Sequence, residues 1–244
     1  YRNTSDEAMR KKIYHQIDSV SGVAATYAIA NEYDKLLTAI GAKGTNAYTW
    51  VDQTVYTNDI PTNQLERWLE LEADRFQEMV PRLFHTELEA VYEEKNRTLD
   101  SDGRKVAEVI NTELFPTHQY GTQTTIGTIE HLKNPSITAI KDYFNKYYVP
   151  NNMAIAMSGD IDFDQTIRLI DKYWGGIEKS QVPTFNVAQE QPIQKPIVKE
   201  VLGPDAENVS LAYRTPGINE REALVVQMIS NLLYNGQAGL VDLN

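Results

Sequence analysis

The sequence contains no cysteine, which excludes a disulfide framework, a thiolate metal site and a cysteine nucleophile. It also has no apolar run near the roughly 20 residues that a membrane-spanning helix requires, and its first residues lack the apolar stretch of a signal peptide. The chain begins without an initiator methionine and stops shortly after the segment NGQAGL. We therefore expect both ends to be cuts within a longer protein.

Positive charge is scarce. The chain has 23 lysines and arginines against 34 aspartates and glutamates, which gives a formal net charge of −11. Because this charge repels phosphate groups, the composition argues against a nucleic-acid or anionic-membrane partner. With 244 residues, 41% of them hydrophobic, the chain is long enough for one large domain or for one domain and part of another.

An acidic helix is predicted over Phe84–Asp100, FHTELEAVYEEKNRTLD. Thr86 and Glu89 have the spacing of a capping box, in which each side chain satisfies a free backbone N–H group, so the pattern predicts a helix start there. Glu87 and Glu94 are seven residues apart, which is within about 20° of two full helical turns. The spacing predicts that these two carboxylates share one face of the helix.

Whether this acidic pair has a functional role depends on how far its side chains are buried. Ala90 and Val91 lie between the two glutamates, so the shared face is expected to be partly buried. Two half-buried acids need a cation, a set of donors or a metal. From spacing alone, the more frequent alternative is a solvated acidic face with Lys95 and Arg97 as local partners.

A β-hairpin is predicted over Thr45–Tyr56, where the helical period changes to alternation and threonine, tyrosine, tryptophan and valine are frequent. Its turn is expected at Val51–Gln53. On its own, this pattern is typical of an ordinary hairpin.

Apolar periodicity and capping pairs predict further elements along the chain. Four capping boxes are proposed: Thr4 with Glu7, Asn63 with Glu66, Asp162 with Gln165, and Asn219 with Glu222. The additional helices are expected over residues 4–19, 27–40, 62–80, 106–115, 136–148, 162–174 and 219–232. Strands are expected over residues 152–158, 197–202 and 209–213. A glutamine- and proline-rich segment before residue 197 reads as a linker.

Five stretches in order carry a family resemblance: NAYT, LELEADRF, ELEAVYEE, HQYGTQTTIGTIEHLKN and YFNKYYVPNNMAIAMSGD. Together they resemble the insulinase/pitrilysin family of zinc metallopeptidases, from about Tyr33 to the start of a second domain. The resemblance implies that Glu94 is the third zinc ligand and that Glu87 is its supporting carboxylate. It also implies an edge strand that pairs with the substrate backbone, formed by Asn46, Ala47, Tyr48 and Thr49.

The first metal motif of that family, HxxEH, is absent from this sequence. None of the four histidines lies in HxxEH or in HExxH: His15, His85, His118 and His131. The chain thus carries at most one zinc ligand and no general base. We expect it to retain no zinc and to cleave no peptide by itself, while the parent protein is a zinc-dependent endopeptidase or oligopeptidase. Two alternatives are a non-catalytic peptide-binding or scaffolding subunit of the same fold and a helix-rich interaction domain.

The predicted fold class is α+β, with a largely antiparallel sheet packed by helices. Residues 1–180 are expected to form a peptidase lobe truncated at its N-terminus, residues 181–196 a linker, and residues 197–244 the start of a second homologous lobe. An incomplete sheet would expose an edge and favour self-association. The expected partners are a peptide substrate and the missing segments of the parent, and the resemblance implies the bacterial periplasm or cell envelope.

Overall fold

A computed structural model describes residues 1, 3–187 and 189–243. These residues form ten α-helices and one two-stranded antiparallel sheet, which confirms the mixed α+β class. The helices are α1 (Glu7–Ala25), α2 (Glu32–Ala39), α3 (Leu65–Gln77), α4 (Phe84–Leu99), α5 (Asp102–Leu114), α6 (Gln119–Thr122), α7 (Ile129–Lys133), α8 (Ile137–Tyr147), α9 (Phe163–Trp174) and α10 (Arg221–Leu233). The strands are β1 (Lys43–Thr49) and β2 (Thr54–Asp59), and short 3-10 turns cover Thr62–Gln64 and Pro150–Asn152.

The chain divides into two compact units, each built from two stretches of sequence. The first unit comprises Tyr1–Ser101 and Gln123–Ala188, and the second comprises Asp102–Thr122 and Gln189–Asn244. Helices α5, α6 and α10 therefore belong to the second unit, and the other elements belong to the first. The homologous-lobe boundaries at residues 180 and 197 stay a prediction.

The predicted hairpin is confirmed, and it contains a bulge. Lys43 pairs with Asp59 and Asn46 pairs with Thr57, so β1 has one more residue than β2 between these two pairs. Gly44 lies in this interval with φ of 58°, a left-handed conformation that glycine adopts without the steric cost of a Cβ atom. The bulge therefore depends on glycine at this position.

The core of the first unit is centred on α3. Leu69 and Ala73 are buried on this helix, and Leu37 of α2 is also buried. Phe76 lies among aromatic side chains, with centroid distances of 5.4 to 6.0 Å to three further rings: Tyr56, Tyr148 and Trp174. Since α3 also packs against α9, this helix is the centre of the unit that carries the hairpin.

The second unit is held by polar contacts. The Glu190 carboxylate accepts hydrogen bonds from the backbone N–H groups of Thr117 and His118, both at 2.8 Å. Arg214 lies 3.8 Å from Glu190 and donates to the Leu114 carbonyl at 2.6 Å. Burial opposes ionisation of Glu190, but the two backbone donors and Arg214 outweigh it and lower the pKa of that carboxyl.

Two further aspartates organise the second unit in the same way. Asp102 accepts from the Asp205 N–H at 3.0 Å and from Lys105 Nζ at 2.9 Å, and these bonds lower its pKa. Gly203 lies so close to Asp102 that an added Cβ would clash with the carboxylate. Asp242 accepts from the N–H groups of the loop that precedes it, including Gly239 at 3.0 Å, and its pKa is lowered too.

Helix starts differ from several predicted ones. The capping box of Thr86 and Glu89 is wrong, because α4 begins at Phe84 and its N-cap residue, Leu83, makes no side-chain capping bond. Phe84 is half-buried, so the packed stripe of the helix extends beyond the predicted start. The packing of Phe84 stabilises this earlier helix start by more than a side-chain cap would, since such a cap contributes about 1 kcal/mol.

The other proposed caps have mixed outcomes. Asp162 caps α9 as predicted, and its Oδ1 accepts from the Gln165 N–H at 2.7 Å. At α1 the capping side chain is Asp6 instead of Thr4, and the helix continues through Gly22 to Ala25. Neither the 3-10 turn before α3 nor the start of α10 has a side-chain capping bond.

The sheet is smaller than predicted. Residues 152–158, 197–202 and 209–213 form no strand in the described structure, so those three predictions are wrong. The segments have the apolar composition of strands, but a strand exists only where a neighbouring chain segment offers hydrogen-bonding partners. The acidic helix and the helix after it are separate, as predicted: α4 ends at Leu99, and α5 begins at Asp102, four residues before the expected start at residue 106.

Candidate functional site

The outer edge of β1 is the first element of the candidate site. The Trp50 N–H donates to the Gln53 carbonyl at 2.8 Å, which fixes this position as a hydrogen-bonded one. Hydrogen-bonded and non-hydrogen-bonded pairs alternate along an antiparallel ladder. Ala47 and Thr49 therefore take the non-hydrogen-bonded positions, with their N–H and C=O groups directed away from β2.

The four predicted binding residues lie together on this strand. Asn46, Ala47, Tyr48 and Thr49 are all exposed, and the side chain of Asn46 accepts the Ala47 N–H at 2.8 Å. In the described part of the chain, β2 is the only strand paired with β1, while α2 contacts β1 as well. The edge of β1 can therefore form backbone hydrogen bonds with an extended peptide, although its role in substrate binding stays a prediction.

The acidic pair lies on the exposed side of α4. Glu87 and Glu94 are both exposed, and so are Ala90 and Val91 between them, so the expectation of a partly buried face is wrong. The packed side of the helix instead contains buried Lys95. It also contains the half-buried residues Leu88, Tyr92 and Asn96.

The reason for this error is the direction of the packed stripe. Leu88 and Lys95 also have a spacing of two turns, but each follows one of the two glutamates by one residue, or about 100° around the helix. The two carboxylates share a face as predicted, and that face is solvated. The zinc-ligand role of Glu94 and the supporting role of Glu87 stay predictions.

The residues that the structure describes do not complete a zinc site. No group of three or more histidine, cysteine, aspartate or glutamate side chains among residues 1, 3–187 and 189–243 could hold a metal ion. A catalytic zinc requires three protein ligands and an open position. Glu94 could contribute one of the three, so this donor set does not fit zinc without ligands from another segment.

Behind the hairpin lies a polar network that the sequence patterns do not indicate. Glu72 of α3 is buried, with 4% of its side chain exposed. Its carboxylate accepts hydrogen bonds from the Tyr33 hydroxyl and from the Arg75 guanidinium. Burial and the bond to Glu72 raise the pKa of Tyr33 to about 12. The carboxylate is thus paired and hydrogen-bonded, as a buried charge must be.

Arg75 joins this network to the aromatic core. Its guanidinium carbon lies 4.3 Å from the ring centroid of Tyr33, 4.5 Å from that of Tyr56 and 4.6 Å from that of Phe76. These distances are those of cation–π contacts. Burial, with the Tyr148 hydroxyl 3.3 Å away, raises the pKa of the Tyr56 hydroxyl above its ordinary value. A signal that could have pointed to the network is the charged Glu-Ala-Asp-Arg run within an otherwise apolar helical stripe.

Comparisons with known proteins agree with this fold. Residues 136–240 match the family model described as the Peptidase M16 inactive domain. The zinc protease PqqE of Helicobacter pylori is 25% identical over 242 residues, covering 96% of this chain and 54% of that protein. This chain is related to the M16 peptidases. Further relatives of similar identity also carry zinc protease names.

Solved structures of M16 proteases are similar as well. A protease from Helicobacter pylori has a TM-score of 0.59 and 26% identity, over 63% of this chain and 38% of that one. The first half of the periplasmic protease PqqL from Escherichia coli has a TM-score of 0.57 over 64% of this chain and 35% of that one, and at 18% identity it supports the fold alone. This chain spans about half the length of the PqqE relative. No described helix is long and apolar enough to cross a membrane.

Proposed function

We propose that this chain is the central part of a zinc-dependent endopeptidase or oligopeptidase that hydrolyses extended peptides, and that its own contribution is to hold the peptide along β1. The observation that carries the proposal is the outward direction of the backbone groups of Ala47 and Thr49. The relationship to zinc proteases over most of the chain supports the peptidase class. In this view residues 1–180 belong to one lobe, residues 197–244 begin a second, and residues 181–196 link them.

Strand addition explains how such a site binds many sequences. An extended peptide that pairs with β1 makes its hydrogen bonds through main-chain groups, so affinity depends little on side-chain identity. The carbonyl of an incoming peptide would take the position that Asn46 Oδ1 holds at the Ala47 N–H. Asn46 then becomes available to the peptide, while exposed Tyr48 offers a ring surface next to it.

The acidic pair has its proposed role in the parent protein. There, Glu94 is the third zinc ligand and Glu87 supports it, while the remaining ligands come from a part of the parent outside this chain. When bound, zinc would lower the pKa of a coordinated water so that hydroxide is available near neutral pH. The shared exposed face of α4 leaves both carboxylates accessible to such a partner segment.

Backbone pairing can be tested with N-methylated peptides. Two versions of one extended peptide are methylated on alternate amides, so that each version blocks a different edge of the peptide strand. If β1 captures the peptide backbone, one version binds as the unmodified peptide does and the other does not. Equal affinity of both versions would contradict strand pairing.

An Ala47→Pro variant tests the same edge from the protein side. Proline removes the outward N–H without removing a bond to β2, and its fixed φ is tolerated at an edge strand. We expect loss of peptide binding with the far-ultraviolet spectrum unchanged. Thr54→Pro, at the strand position opposite Thr49 in β2, is the matched control and should leave binding near that of the unmodified chain.

The metal proposal has a separate test. The purified chain is dialysed against a slight excess of zinc, and its metal content and cleavage of a fluorogenic peptide are measured. We expect substoichiometric zinc and no cleavage; near-stoichiometric zinc with activity would overturn the view that the ligand set is completed elsewhere. In the parent, Glu94→Gln should reduce zinc content, whereas Glu93→Gln on the same helix should not.

A non-catalytic peptide-binding or scaffolding subunit is the second candidate function. The description of the matched family model as an inactive domain favours it. The two candidates predict different sequences before this chain in the parent protein. An HxxEH motif there would identify the peptidase, and its absence would identify the non-catalytic subunit. For compartment we propose the periplasm or cell envelope, supported by the periplasmic structural neighbour, and fractionation of cells tests it.

Self-association through the edge of β1 is a further part of the proposal. An unpaired strand edge can add a strand from a second copy as readily as from a peptide. Sedimentation of the chain with and without a saturating peptide tests this. A peptide that shifts dimers to monomers supports a shared edge, and a dimer indifferent to peptide contradicts it.

A further inference from the structure

The Glu72 and Arg75 pair lies directly behind the hairpin that carries the proposed peptide-binding edge. Glu72 is buried, and it is bonded both to Arg75 on its own helix and to Tyr33 of α2. A two-stranded hairpin is marginally stable by itself in water. Its orientation must therefore come from what it packs against.

The network touches β2 at two positions on one face. Tyr56 and Asn58 are two residues apart, so their side chains share the same side of the strand. Arg75 stacks on the Tyr56 ring at 4.5 Å, and the Tyr33 hydroxyl lies 3.3 Å from the Asn58 amide. Arg75 thus contacts this strand directly at the Tyr56 ring, and Glu72 is connected to Asn58 through the Tyr33 hydroxyl.

The same two positions connect to β1. Tyr56 is the partner of Ala47 in the ladder, and Asn58 lies opposite the bulge in β1. With its amide nitrogen toward β1, Asn58 donates to Thr45 Oγ1 at 3.1 Å and accepts from Trp68 Nε1 of α3 at 3.2 Å. Contacts therefore run from α3, through β2, to the segment of β1 next to its outward edge.

We propose that Glu72 and Arg75 are positioning residues that fix the orientation of β1 and so prepare its outer edge for a peptide. This inference rests on the proposed function of that edge. Neither side chain reaches the peptide. Preorganisation raises affinity because the strand is already ordered before binding, so its ordering entropy is not lost at that step.

The geometry of Arg75 predicts that a lysine would not replace it. A planar guanidinium can stack on the rings of Tyr33 and Tyr56 while its N–H groups bond to Glu72. A lysine keeps the charge but loses the stacking. Tyr33→Phe makes the opposite change, because it keeps the ring and removes only the hydroxyl that bonds to Glu72.

The experiment compares Glu72→Gln, Arg75→Lys and Tyr33→Phe with Glu70→Gln, an exposed control on the same helix. Amide hydrogen exchange is followed separately in β1 and in α9. We expect exchange in β1 to become roughly tenfold faster for Glu72→Gln, as the loss of a hydrogen bond to a charged group implies. Exchange in α9 should remain that of the control.

Peptide binding provides the second measurement, by titration with the unmodified extended peptide. Positioning predicts weaker binding by a factor close to the increase in β1 exchange, with a smaller change for Tyr33→Phe. If β1 exchanges no faster than in the control, or if β1 and α9 change together, the pair supports the whole unit and the positioning role is wrong. If Glu72→Gln does not fold, the same criteria are applied to Tyr33→Phe.

The outcomes separate this inference from the proposed function. If the unmodified chain does not bind the peptide, the peptide-binding proposal fails, whatever the exchange data show. If the unmodified chain binds it and the variants bind it equally well, the binding proposal stands and the positioning role is overturned.

Discussion

The two units of this chain are stabilised in different ways. In the first, Leu37, Leu69 and Ala73 are buried. In the second, the described side chains are partly or fully exposed, and apolar residues of the extended segments are among the most exposed, with Val198 at 89% and Val209 at 88%. Its order comes from hydrogen bonds that carboxylates accept and that Arg214 donates. A packed core therefore stabilises one unit, and local polar contacts organise the other.

The contrast shows what an apolar segment needs in order to become a strand. Residues 43–59 contain both partners of a ladder within a short stretch, so the hairpin forms. Residues 197–202 and 209–213 have strand-like composition but form no ladder in the described structure. Exposed apolar surface of this kind favours association with further protein.

The largest expected difference in stability is between Leu69→Ala in the first unit and Leu211→Ala in the second. Leu69 is fully buried, so its truncation leaves a cavity and should lower the free energy of unfolding by about 2–5 kcal/mol. Leu211 is 80% exposed, and its truncation should change that free energy by about 0.5 kcal/mol or less. Urea denaturation of both variants measures this, and equal losses would contradict the contrast.

Replacement of Arg214 by alanine should be the largest single change in the second unit. It removes hydrogen bonds to the carbonyls of Leu114 and Gln191 and the charge beside Glu190. We expect a loss of about 1–3 kcal/mol, measured as faster amide exchange at Thr117. Arg221→Ala, at the exposed start of α10, is the control and should leave this exchange unchanged.

Helix caps provide a smaller test. Asp162→Ala removes the bond to the Gln165 N–H and should destabilise α9 by about 1 kcal/mol. Asn219→Ala, at the position where the sequence pattern predicts a cap for α10, removes no side-chain capping bond and should change little. Local amide exchange in the first turn of each helix distinguishes the two. A similar loss at both sites would mean that the caps do not differ between the units.

The smallest effect near neutral pH concerns protonation, and its direction differs between three carboxylates of the second unit and a tyrosine of the first. Asp102, Glu190 and Asp242 have lowered pKa values, so their contribution is present above the unfolded values near 4 and is lost as pH falls below them. Tyr33 has a raised pKa, so its contribution is present below pH 10 and is lost as pH rises toward 12. We expect acid to loosen the second unit first and alkali the first unit, as local amide exchange and tyrosinate absorbance would report.

Local patterns predicted much of the fold because they act over a few residues. The hairpin and the Asp162 cap are examples, since turn chemistry and a capping bond involve near neighbours in sequence. The start of α4 could not be read this way. There the half-buried Phe84 extends the packed stripe, and tertiary packing outweighs the capping preference of Thr86.

The candidate site was predicted in part for the same reason. Asn46 to Thr49 lie together on an exposed strand, as the alternating pattern indicates. The face of α4 was misjudged because small Ala90 reads as apolar although it is exposed, while Lys95 is buried although lysine rarely is. The network of Glu72 joins α2, α3 and β2, and no single window of sequence contains these partners.

Each unit is built from two separate stretches of sequence, and this limits where the protein can be truncated. A polypeptide that stopped before residue 189 would retain Asp102 and Thr117 but would lack Asp205, Glu190 and Arg214, to which these residues and their neighbours are bonded. Helix α5 would then have lost the groups that hold it in its own unit. A truncation or domain transfer must therefore remove or keep both stretches of the second unit together.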